Sequence, residues 1–180
     1  MEKPLKFLII FTNILLSVAY VGAWYQHTAA FKLDWTPFEF HLATSGVAVL
    51  LHFFTCLGVI FYFVGTGLWI KEQSQSLVRV DKKLAFKIWD VYKSANRLKG
   101  WSFPFATFGI MLGVFTFILG GANHIGAIPY WIHPSLATVL VCLAWLGVPF
   151  IFKGINKNLV KLDEATKLIP SEDPSNKSPT

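Results

Sequence analysis

Apolar positions along this chain fall into long unbroken blocks, separated by short polar stretches. Four blocks stand out, at residues 7–25, 42–70, 103–121 and 135–152, and none of them holds an Asp, Glu, Lys or Arg. A helix needs roughly 17 to 25 residues to cross the hydrocarbon of a bilayer, and all four blocks are long enough. They predict an all-α integral membrane protein built as a four-helix bundle, with 1–169 as one transmembrane domain. The second block is long enough to tilt or to project beyond the bilayer.

The first block also has the outline of a signal peptide. Lys3 and Lys6 precede an apolar run, and Val21-Gly22-Ala23 has the small residues of a cleavage site. Carried from Met1 onward, it is read as a retained membrane helix.

Between the second and third blocks the period changes. From 81 to 98, Leu84, Ile88, Val91, Tyr92, Ala95 and Leu98 recur at helical spacing, with Lys82, Lys83, Lys87, Asp90, Lys93 and Arg97 filling the other face. This pattern predicts an amphipathic helix lying in the membrane interface, lysines towards anionic headgroups, with docking onto a partner subunit as the alternative. After Gly154 further helical turns are expected through Ile169, with Ile155, Leu159 and Leu162 on one face. The Pro- and Ser-containing tail at 170–180 is expected to be disordered.

Composition supports this picture. Charged residues make up 14% of the chain, against about a quarter in soluble domains, too few to cover a water-exposed surface. The net charge of +6 could suggest nucleic acid, but the basic residues flank apolar spans and are read as membrane-surface anchors. Eight of them lie between Lys71 and Trp101, with more at Lys3, Lys6, Lys153, Lys157, Lys161 and Lys167. The other two loops share the single Lys32. The positive-inside rule then puts both termini and the middle segment in the cytoplasm. The bilayer expected is a bacterial inner membrane. Cys56 and Cys142 form no CxxC pair and read as small buried hydrophobes.

The two halves look alike. One runs from Gly22-Ala-Trp-Tyr-Gln-His27 to His41-Leu-Ala-Thr, the other from Gly121-Ala-Asn-His124 to His133-Pro-Ser-Leu-Ala-Thr. This predicts two repeated helical hairpins, each with a His ending its first helix and another starting its second.

Four histidines, His27, His41, His124 and His133, thereby gather at one end. The fifth, His52, falls eleven residues after His41 on nearly the same helix face, about 16 Å deeper. Neutral imidazole ligates haem iron, copper or zinc, and a helix N-terminus keeps His41 and His133 uncharged. The blander reading is an interfacial belt, in which His joins Trp24, Tyr25, Trp35, Tyr130 and Trp131. For His52 it is a hydrogen-bonded core histidine. Gly109, Gly113 and Gly120 form a stripe that suits close helix packing or a flat macrocycle, and Asn13 is a polar group at membrane depth that needs a partner.

In helix count and histidine placement the chain resembles four-helix b-type membrane cytochromes and the haem-bearing anchor subunits of respiratory complexes. That resemblance implies haem b bound by His41 and His133 first, then His27 and His124, with His52 at a second haem or a quinone pocket. It also implies electron transfer with a periplasmic redox protein or other subunits of a membrane complex. The alternatives are a cofactor-free accessory subunit and a copper- or zinc-handling protein, with Asp34 or Glu39 assisting the same histidines. Propionate partners are scarce on the histidine side, where only Lys32 is basic. No P-loop, GxSxG or HExxH motif is present, and no charged residue lies within a span, so hydrolase, NTPase and ion-coupled chemistries lack their usual parts.

Overall fold

The computed structural model describes residues 2–28 and 37–169, leaving aside the side chains of 25–28 and 37–40. Four α-helices account for almost all of it: α1 (Glu2–Thr28), α2 (Pro37–Leu77), α3 (Lys82–His124) and α4 (Ile132–Leu168). All four are long and apolar enough to cross a membrane. The expected tail at 170–180 and the connection carrying Lys32, Asp34 and Trp35 lie outside the described residues.

Successive helices run antiparallel. Between α2 and α3, Gly46 lies against Phe117 near one end and Gly67 against Lys99 near the other. Between α3 and α4, Gly120 meets His133 and, far along, Gly154 meets Ser102. The α1 helix packs on α2 and α4, and α2 also touches α4, where, near the Gly67 end, Asn158 Nδ2 donates to Thr66 Oγ1 at 2.8 Å. We call the two ends of this assembly the histidine end and the lysine end.

Hydrogen bonds fasten α1 to α4 along its length, from Lys6 on Asn156 at one end to three nearer the other. Asn13 Nδ2 donates to the Ala144 carbonyl at 3.0 Å, Trp145 Nε1 donates to Ser17 Oγ at 2.9 Å, and Tyr20 and Thr138 share a hydroxyl contact of 2.7 Å. Asn13 thus has the partner that its depth demands. Such bonds contribute about 0.6 kcal/mol each in a membrane protein, so they orient α1 more than they hold it.

The helices outrun their apolar blocks, and the reason is plain at the lysine end. The segment 81–98, expected as a separate helix in the membrane interface, is instead the first half of α3 and continues into the span without a break. Asp81 caps it, accepting from the Leu84 N–H at 3.0 Å. Its apolar face does not meet lipid. Ile88, Val91 and Ala95 are buried against Ile70 of α2 and Ala165 of α4, and Ser74 Oγ donates to the Ala85 carbonyl at 2.9 Å. The face that the sequence offers to a bilayer or partner is filled by the chain's own helices.

A membrane slab places this packing. Measured from the belt of Trp24, Tyr130 and Trp131, about 30 Å of hydrocarbon corresponds to about 20 helical residues. That reaches Lys6, Trp101 and Lys153, where Lys153 Nζ sits 5.4 Å from the Trp101 ring centre, a pairing typical of the interface. Beyond it, α2, α3 and α4 continue and pack on one another.

Candidate functional site

At the histidine end the helices part around a cavity of about 360 Å³. Its walls come mainly from small and aliphatic residues: Ala19 and Ala23 of α1, Ala48 and Val49 of α2, Ala137 and Leu140 of α4. Polar groups are few. Tyr20, Trp24, Asn123 and Tyr130 contribute to the lining, and two imidazoles, His41 and His133, face this space. A mostly apolar cavity with a few convergent polar groups has the character of a small-molecule site, and its volume lies within the usual range of roughly 300–1,000 Å³.

The two histidines arrive from parallel helices. His133 is the second residue of α4 and His41 lies just over one turn into α2, so both sit near N-terminal ends of their helices. Their ring centres are 6.2 Å apart and their planes 73° apart. Two imidazoles binding one metal ion from opposite sides need a similar spacing. Metal–nitrogen bonds of about 2.0 Å, with ring centres about 1.1 Å behind each nitrogen, put the centres about 6.2 Å apart. The twist between such rings is unconstrained. A direct edge-to-face ring contact falls in the same range of about 4.5–7 Å.

What holds His133 is specific. Its Nδ1 pairs with the Thr116 carbonyl across α3 at 3.1 Å. A carbonyl can only accept, so Nδ1 is the donor in this pair. This is how a ligating histidine is commonly oriented by its surroundings. Gly120 makes the approach possible, because a Cβ there would stand 2.9 Å from His133 Cε1.

The remaining histidines separate from this pair. His124, at the end of α3, is exposed and does not line the cavity. His27 belongs to the last turn of α1, and its side chain is outside the described residues, as is that of Glu39. His52 is 5% exposed in the middle of the assembly. Its Nε2 lies 3.5 Å from Cys56 Sγ, its Nδ1 has no hydrogen-bond partner, and a Cβ on Gly109 would stand 3.0 Å from Nε2. The space beside it, bounded by Asn13, Phe105 and Ile151, is about 20 Å³. That admits about one water and neither a macrocycle nor a quinone ring.

The glycine stripe is therefore a set of separate accommodations. Gly109 makes room for His52 and Cys56, Gly120 for His133, while a Cβ on Gly113 would meet only Val49 at an ordinary 3.5 Å. Among the described residues, no group of three or more His, Cys, Asp or Glu gathers in a way that could hold a metal ion. Sequence reasoning missed the Thr116 carbonyl and the alanines that make the cavity. A backbone acceptor leaves no residue-type signal, and alanine inside an apolar block looks like any other filler.

Compared with known proteins, the chain matches no family model, no curated protein and no solved structure.

Proposed function

We propose that this protein is a membrane-embedded haem b-binding electron-transfer subunit, with His41 and His133 as the axial ligands. The observation that carries this reading is the pair of imidazoles 6.2 Å apart on the wall of an apolar cavity of about 360 Å³. The residues present fit the group. His133 is oriented by the Thr116 carbonyl, and aliphatic walls suit a hydrophobic macrocycle. Asn123 and Tyr130 offer donors for carboxylates in place of basic residues. Bound there, haem would supply one-electron chemistry, and His41 and His133 would hold it against the apolar wall.

The size of the cavity favours a macrocycle over a bare copper or zinc ion, which two histidines alone would serve poorly. His124 is not part of this reading, because it lies off the cavity wall. The paired positions of His41 and His133, each near the start of the second helix of a hairpin, support a two-hairpin four-helix bundle. The lysine-rich end is assigned to the cytoplasm on the charge rule, and the histidine end to the opposite side of a bacterial inner membrane. There it would exchange electrons with a periplasmic redox protein or other subunits of a membrane complex.

The test is a dithionite-reduced minus oxidised absorption spectrum of the protein purified in mild detergent. Sharp α and Soret bands are expected. They should vanish in His41→Ala and His133→Ala and persist in His124→Ala and His52→Ala. A flat spectrum from folded protein supplied with haem would remove the cytochrome reading and leave the accessory-subunit one.

A further inference from the structure

The lysine end carries a surface that no other described residue of the chain covers. From the level of Trp101 back to Lys82, α3 continues for about 28 Å at 1.5 Å per residue. The headgroup layer takes up only about 5–8 Å of that, and charges are screened over about 8 Å in physiological salt. The turn between α2 and α3 therefore stands clear of both the membrane and its surface potential. Lysines at this distance cannot serve as lipid anchors, unlike Lys6 and Lys153 at the interface.

Yet the tip is strongly basic. Arg79, Lys82, Lys83 and Lys87 are all exposed there, while the one acid among them, Asp81, is engaged as the cap of α3. Further along the extension Asp90, Asp163 and Glu164 are matched to Lys93, Lys167 and Lys161, and Glu72 is exposed on α2 before the tip. Within the same stretch three apolar side chains face outward in a region with no lipid to cover them: Val78 at 46%, Val80 at 82% and Phe86 at 69% exposure. Val80 precedes the helix cap, the usual place for a residue that folds back onto the first turn, and here it points away.

We infer that this tip is a docking surface for a soluble acidic protein, which would seat an apolar contact on Val80 and Phe86 inside a ring of carboxylates facing Arg79, Lys82, Lys83 and Lys87. An apolar centre with a charged rim is the ordinary anatomy of a transient interface, and the unmatched positive rim selects the sign of the partner. A second copy of this chain would bring like charge against like charge. The surface lies at the opposite end from His41 and His133, so it stands or falls independently of the haem reading.

The experiment places the photoreactive residue p-benzoylphenylalanine at Val80, and separately at Phe86, in the full chain in its native membrane. After irradiation, cross-linked species are identified by mass spectrometry. A discrete soluble protein of acidic surface is expected, cross-linking from both positions. Its yield should fall roughly tenfold when Arg79, Lys82 and Lys83 are each changed to Glu, and again in high salt. The milder Lys82→Gln and Lys83→Gln changes should give an intermediate loss, and a probe at Leu68, nearer the membrane, serves as the folded-protein control. Cross-linking only to lipid, only to another copy of this chain, or to a protein whose yield ignores the charge reversals would overturn the inference. So would the absence of any cross-link when the Leu68 probe reacts normally.

Discussion

Two histidines eleven residues apart on α2 meet opposite fates. His41 opens onto a cavity of about 360 Å³, whereas His52 is sealed beside one of about 20 Å³. Both are within spans and both approach α3. The difference lies in what the other helices present at each level. Around His41 the other helices present Ala19, Ala23 and Ala137, whose short side chains leave space unfilled. Around His52, Ile9 of α1, Phe105 of α3 and Leu143 and Ile151 of α4 close in and leave little space. A ligating residue type is thus only half of a site; the other half is missing side-chain volume. The comparison also explains why the pair His41–His133 can carry a cofactor reading and His52 cannot.

The strongest way to break this contrast is to fill the open side. Ala137→Phe leaves both His41 and His133 in place but inserts a ring into the cavity. The haem spectrum should fall to a small fraction of wild type while the helices stay folded, judged by circular dichroism. Since the cavity walls are already apolar, the added ring should lose little thermal stability, within about 1–3 kcal/mol even if it must push neighbours aside. Full retention of the spectrum would mean that the haem binds elsewhere.

A smaller effect is expected from the backbone that orients the ligand. Gly120→Ala would put a methyl 2.9 Å from His133 Cε1, so the ring must turn and its bond to the Thr116 carbonyl is lost. Loss of such an orienting contact typically costs about 10- to 100-fold in metal affinity, which a haem titration followed at the Soret band would read. Gly113→Ala is the matched control, since its Cβ would meet only Val49 at 3.5 Å and should leave the titration unchanged. Equal effects at the two glycines would point to general helix packing rather than to the histidine.

These contrasts were unevenly legible in the sequence. Apolar blocks located four spans because hydropathy reports what surrounds a helix. Hydropathy says nothing of where backbone hydrogen bonding stops, and so the basic stretch 71–101 read as a loop with its own surface helix. In fact α2 runs to Leu77 and α3 starts at Lys82. The heptad-like spacing of Leu84, Ile88, Val91 and Ala95 did announce a buried face, but spacing cannot name the surface that buries it. For the site, the matched motifs His41-Leu-Ala-Thr and His133-Pro-Ser-Leu-Ala-Thr picked out the two histidines that the fold brings together. The same argument included His124, which one exposed helix end removes from the cavity wall. Equivalent places in a repeat fix level along the helices, and side-chain direction at a fraying terminus is set by local geometry instead.

The smallest change expected is at the closed histidine, and its sign is informative. His52 has an unpartnered Nδ1 and a 3.5 Å contact from Nε2 to Cys56 Sγ, so it gains little from being polar. Replacing a buried, under-satisfied polar group by an apolar one of similar size is nearly neutral or stabilising, and volume-conserving core changes stay within about 1.5 kcal/mol. His52→Leu should therefore leave the haem spectrum intact and shift the melting temperature in detergent by no more than about 2–6 °C, with a rise favoured over a fall. A large destabilisation would show that the 20 Å³ void holds a bound water bridging the ring to Asn13 or Thr55. Loss of the spectrum would mean instead that the closed and open histidines act together, and the division between them would fail.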